Sequence, residues 1–239
     1  MSLERRKHSE SFDMKVHKFG LAATLLALTT IMAGAVQAQG RGLVPYQEGL
    51  HYFEIDNASA VTGDKVEVLE LFSYLCSHCS TFEPYINAWA AKIPEHVDFK
   101  RVAVVFGRGS WELYARAFAT AKIMNLPEEV HMAMMDRLWK EKKIMRSLDE
   151  IADFYVDFGA DKEKFLSTAQ SFAVDGKIRR EQQLVRAYGI TGTPSLVVNG
   201  KYRISGNAAL PSFEAMLDVV DYLVEIERAR LKSASVAAE

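Results

Sequence analysis

The segment 65–72, KVEVLELF, limits the fold of this chain more than any other. It is a near-continuous apolar run rather than a strict alternation, so it reads as a strand covered on both faces and set among parallel neighbours. After a short turn comes Cys76-Ser77-His78-Cys79, and residues 80–92 then follow a helical pattern that Pro94 stops. Residues 97–106, VDFKRVAVVF, read as a second buried strand. Strand, helix and strand make a βαβ unit, with both cysteines at its strand-to-helix turn.

Residues 108–188 carry helical periods only. Pro127 suits the first turn of one helix. Ser147-Leu-Asp-Glu150 is a capping box that opens another, Gly159 ends it, and Asp161 caps the next. The β signal returns at 195–198. Asn199-Gly200 predicts a type I′ hairpin turn, and 202–204 supplies the partner strand. A closing amphipathic helix runs from about Ser212, with Phe213, Met216, Leu217, Val220, Leu223 and Val224 on one face. Residues 52–55 add a short first strand. The order is that of an α/β, thioredoxin-like sheet split by an all-helical subdomain: residues 39–107 and 189–239 form the thioredoxin-like part and 108–188 the insert. There is no internal repeat.

The start of the chain has another character. Lys15 and Lys18 precede an apolar stretch from Phe19 to about Ala35, followed by Val36-Gln37-Ala38. This predicts a secretory signal peptide, residues 1–38, cleaved after Ala38, with Met14 as an alternative start. The other reading is an uncleaved membrane anchor. A stretch of under about 20 residues, diluted by Thr29, Thr30 and Gly34, suits that less well. The segment 1–38 holds five of the 29 Lys/Arg and three of the 31 Asp/Glu, so the remaining chain carries a net charge of −4. Nothing in that balance points to a nucleic-acid partner.

An exported chain gains stability from structural disulfides. This one has only two cysteines, three positions apart. A bridge over so short a loop constrains little of the unfolded chain, so the pair is better explained by chemistry. Half of a zinc site is the bland reading, but zinc takes four ligands and no second CxxC or paired-histidine motif is present. At a helix start, unpaired N–H groups and the positive dipole end stabilise a thiolate. That assigns Cys76 as nucleophile and the more deeply placed Cys79 as resolving thiol. His78, between them, is placed to stabilise the thiolate further.

Thr193-Pro194 opens a strand after Gly192, where an ordinary turn proline and a cis proline both fit. Glu70 and Lys100 are charged residues inside strands that read as buried. They are expected either as a buried pair beneath the cysteines, relaying protons to Cys79, or at strand ends in water. His51, His96 and His131 stand singly and are expected at the surface. Trp111, Trp139 and the Met132–Met135 cluster fit helix-packing positions.

Together, VLELFSYLCSHCSTFEP (68–84), GITGTPSLVVNGKY (189–202) and a helical insert between them resemble the DsbA family of periplasmic disulfide-forming oxidases, across essentially the whole exported chain. The resemblance implies Cys76 as exposed nucleophile and His78 as its stabiliser. It implies a cis Thr193-Pro194 bond that packs on the pair and holds substrate backbone, and Glu70 and Lys100 as the family's buried acid and lysine. It implies no cofactor beyond the Cys76–Cys79 disulfide, unfolded exported proteins as substrates, a membrane reoxidant of the DsbB type, and a monomer. Two positions depart from the family pattern. Its usual Pro-His dipeptide is here Ser77-His78, and the oxidases' usual Val before the cis proline is here Thr193, as in disulfide isomerases. Isomerisation or reduction on the same fold is therefore the competing activity, and a binding module with incidental cysteines is the competing class.

Overall fold

The computed structural model describes residues 45–56 and 63–237, so the expected signal peptide lies outside the described residues. Five strands form one sheet: β1 (Phe53–Glu54), β2 (Val66–Phe72), β3 (Val97–Ala103), β4 (Ser195–Val198) and β5 (Tyr202–Ser205), in the order β1-β5-β4-β2-β3. β2 and β3 are parallel and joined through helix α1 (Ser77–Ala90), while the other pairings are antiparallel. β2 is central, and all of its residues but Glu67 are buried. That is why the sequence shows a run there instead of an alternation.

Asn199 and Gly200 take φ values of 51° and 66°, the left-handed pair that a two-residue turn needs to match strand twist, and they join β4 to β5. Glu227 of the closing helix α7 (Phe213–Ala237) fixes this turn, because its buried carboxylate accepts from Asn199 Nδ2 and Lys201 Nζ at 2.6 Å each.

Each face of the sheet has its own cover. Val66 and Val68 pack with Phe82 and Ile86 of α1 and with Met216, Val220, Leu223 and Val224 of α7. The opposite face sets Leu69, Leu71, Val102, Val104 and Val197 against Val185. Val185 belongs to α6 (Phe172–Ala187), the last of five helices between β3 and β4; the others are α2 (Gly109–Ile123), α3 (Glu129–Trp139), α4 (Leu148–Val156) and α5 (Lys162–Ala169). Their core of Tyr114, Phe118, Met134, Met135, Leu138, Ile151, Tyr155 and Phe165 is continuous with Phe72, Ala103 and Val105 at the end of the parallel pair, and reaches both cysteines. Each of these large side chains contributes about 1.5–3 kcal/mol by burial.

Local signals set the helix starts. Ser147 Oγ accepts from Glu150 N, while Glu150 reaches back to Arg146 N; Asp161 caps α5 and Ser171 caps α6. β3 stops three residues before the expected end. Phe106 and Gly107 turn the chain with φ of 48° and 68°. Gln182 of α6 takes over the ladder at the sheet's edge, its amide donating to Ala103 O and accepting from Val105 N at 3.0 Å each. One side chain thus stands in for a neighbouring strand and ties the helices to the sheet. α1 starts earlier than expected, because the cysteine pair itself forms its first turn, and it holds Pro84 in its interior. No helix among the described residues is long and apolar enough to cross a membrane.

Candidate active site

β2 ends at Phe72, and Ser73, Tyr74 and Leu75 turn the chain so that Cys76 becomes the N-cap of α1. A cap's side chain accepts from the free N–H groups of the first turn; here the acceptor is sulfur, with Cys79 N at 3.4 Å. As a thiol, Cys76 donates to Thr193 O at 3.3 Å. The hydrogen bond from the Cys79 thiol, the contact with Thr193 and the N–H groups of Cys79 and His78 outweigh burial and pull the Cys76 thiol down to about 5. Burial pushes Cys79 far the other way, and the neighbouring Cys76 sulfur adds to it. Cys76 keeps 9% exposure and Cys79 none. Two thiols three residues apart are thereby driven in opposite directions, and both are free in this structure. The His78 imidazole is exposed and makes no hydrogen bond or ion pair among the described residues, so its contribution in this geometry is its main-chain N–H.

The Thr193-Pro194 bond is cis. Ser195 holds the loop from below, its Oγ 2.9 Å from Gly192 O and 2.7 Å from Ser205 Oγ. Thr193 therefore presents its carbonyl to Cys76 from a fixed support.

Glu70 is fully buried, but its partner is not the expected lysine. The parallel register sets Glu70 opposite Arg101 and Leu69 opposite Lys100. Successive residues of a strand face opposite sides of the sheet, so Lys100 points away from Glu70. It bonds Glu67 at 2.8 Å and Asp98 at 2.7 Å with half its side chain in solvent. Arg101 holds the buried place, with Nε to Glu70 at 2.8 Å, one Nη to Glu83 at 3.2 Å and Asn87 at 2.6 Å, and the other to Glu128 at 3.1 Å. Burial raises Glu70 to about 8 even so, leaving it protonated at neutral pH. Glu83 is held below the usual carboxylate value, because contacts with His131 and Arg101 outweigh its burial.

His131 corrects a second expectation. It is 5% exposed, Nδ1 lies 2.9 Å from the Tyr74 hydroxyl, and Nε2 lies 3.1 Å from Glu83 Oε1. The sequence reading missed Arg101, Glu83 and Tyr74 altogether. Glu83 alone left a signal, one turn beyond Cys79 on the side of α1 that carries Phe82 and Ile86 inward.

The chain matches the DSBA-like thioredoxin domain over residues 67–218. It is 40% identical over 214 residues to the thiol:disulfide interchange protein DsbA of Pseudomonas aeruginosa, covering 89% of this chain and 98% of that one. The chain belongs to the DsbA family. The DsbA of Azotobacter vinelandii is also 40% identical, over 210 residues, covering 87% and 97%. Among solved structures, Pseudomonas aeruginosa DsbA superimposes with a TM-score of 0.73 at 41% identity, covering 79% of this chain and 97% of that one. The DsbA of Xylella fastidiosa gives 0.70 at 32%, covering 75% and 96%. As a DsbA-family protein the chain is a thiol–disulfide oxidoreductase, built on the thioredoxin fold with a helical insertion.

Proposed function

We propose that this chain works in the periplasm, where it donates its Cys76–Cys79 disulfide to newly exported proteins. A substrate thiolate attacks Cys76, the more accessible sulfur. The Cys76–Cys79 bond breaks, a mixed disulfide forms on Cys76, and Cys79 leaves. Burial makes Cys79 a poor thiolate, so it departs as a thiol and needs a proton. Glu70, protonated at neutral pH and with Oε1 unpartnered, is the group we assign to supply it. A second substrate thiolate then attacks the substrate sulfur and expels Cys76. Two electrons have passed to the protein and a disulfide to the substrate. The second step is fast because a low-pKa thiolate leaves readily.

The observation that carries this reading is the stabilised Cys76 thiolate, since stabilising the reduced form strengthens the oxidant. Thr193, whose carbonyl meets the attacked sulfur, and cis-Pro194 beside it in the chain are assigned to hold substrate backbone there. The exposed His78 is assigned to the substrate-facing side of the pair, and Lys100 is left outside the chemistry. A membrane partner of the DsbB type reoxidises the pair. Export follows from residues 1–38, and N-terminal sequencing of protein recovered from periplasm should begin at Gln39.

Equilibration with glutathione tests the direction of exchange. A potential above about −180 mV, the value of protein disulfide isomerase, is expected of a disulfide donor. A value below about −230 mV would overturn donation and leave reduction or isomerisation on the same fold.

A further inference from the structure

Tyr74 lies two residues before Cys76 and is 2% exposed. Thiol exchange asks nothing of it, and a phenylalanine would fill the same space against Phe72, Tyr114 and Phe118. Its polar atoms nevertheless reach α3 at two points. The hydroxyl lies 2.9 Å from His131 Nδ1, and the main-chain carbonyl accepts from Trp139 Nε1 at 2.8 Å. His131 and Trp139 stand about two turns apart on one helix. Burial holds His131 below the usual imidazole value, so at neutral pH the ring carries one N–H. An ionised carboxylate can only accept, so that proton belongs on Nε2, beside Glu83, and Nδ1 accepts from the Tyr74 hydroxyl. Glu83 of α1, Arg101 of β3 and Glu128 before α3 are the charged groups facing the ring, and Tyr155 of α4 faces Tyr74.

We propose that His131 and Trp139 are positioning residues for Cys76: by holding Tyr74 at its hydroxyl and its carbonyl, the helical insert fixes the turn that presents the sulfur to its hydrogen-bond donors. The rest of that turn is held lightly, by Cys76 N to Ser73 O at 3.1 Å and Leu75 N to Ser73 Oγ at 3.2 Å. The thiolate depends on N–H groups of α1 and on contact with the Thr193 loop, and hydrogen bonds weaken steeply once their geometry drifts. Movement at Tyr74 therefore reaches the sulfur as lost stabilisation.

The test is titration of Cys76 in the reduced protein, read as thiolate absorbance at 240 nm against pH. It reports the sulfur itself, whichever way disulfides flow, so it stands apart from the glutathione measurement. Tyr74→Phe, His131→Leu and Trp139→Phe should each raise the midpoint by about half a unit, roughly a threefold loss of thiolate below it. Tyr74→Phe and His131→Leu remove the same contact, so their double variant should shift no further than either alone. Trp139→Phe leaves Glu83 untouched and separates position from charge. Unchanged midpoints in folded Tyr74→Phe and Trp139→Phe would overturn the proposal, leaving α3 a packing role. A shift in His131→Leu alone would also overturn it and place the effect on the Glu83 charge. If His131→Leu does not fold, the two phenylalanine variants, which keep an aromatic ring in place, decide the matter.

Discussion

The two faces of the β2–β3 pair carry the same device in different surroundings. On one face Glu67 and Lys100 meet at 2.8 Å, with 15% and 52% of their side chains exposed. On the other, Glu70 and Arg101 meet at the same 2.8 Å with 0% and 6% exposed. Distance does not separate these pairs; solvent does. Water screens the first and leaves it little net energy. The second has lost its hydration and depends on the partners it finds inside the protein. A guanidinium fork can serve Glu70, Glu83, Asn87 and Glu128 at once, which a lysine ammonium on a flexible stem cannot match.

The sharpest way to break this contrast is Arg101→Met. It strands the ionised, buried Glu83 and removes the donor to the neutral Glu70, and urea unfolding at neutral pH should show a loss of about 3–5 kcal/mol. A loss below about 1 kcal/mol would mean that water reaches the cluster and the two faces are alike.

Glu70→Gln should act through pH. The folded protein binds the Glu70 proton up to about 8, whereas the unfolded chain releases it near 4.5. The stability tied to that proton is full below about 4.5 and is lost as pH rises towards 8. The glutamine variant lacks this decline, so it should gain on the parent across that window by at most about 1.4 kcal/mol per pH unit, one proton's worth. Parallel stability profiles would remove the raised acid. A Cys79-dependent release step with unaltered pH dependence in the same variant would remove its role as proton donor.

The smallest effect belongs to Lys100→Met, expected to cost less than about 1 kcal/mol and to vanish in high salt.

What could be read in the chain and what could not divide along the same line. The β2 run, the Asn199-Gly200 turn, the Ser147 and Asp161 caps and the apolar face of α7 are local signals, set by residues within one turn or one strand of each other. The place of the cysteines was legible because it needs only a strand end and a helix start. Choosing Arg101 over Lys100 as the partner of Glu70 required the register of β3 against β2. Both residues are cationic and adjacent, and an offset of one position exchanges the faces of the sheet. His131 was illegible for a related reason. Its partners, Tyr74 and Glu83, lie 57 and 48 positions away in the chain and meet it only after α3 docks.

The N-cap of α1 has a consequence of its own. The side-chain caps of α4, α5 and α6 are oxygens of Ser147, Asp161 and Ser171, and they are permanent. The cap of α1 is a sulfur whose charge disappears whenever Cys76 enters a disulfide. On the proposed reaction, each cycle discharges and recharges the cap of a helix in the middle of the fold. The same sulfur would then link the oxidising strength of this protein to the firmness with which its first helix begins.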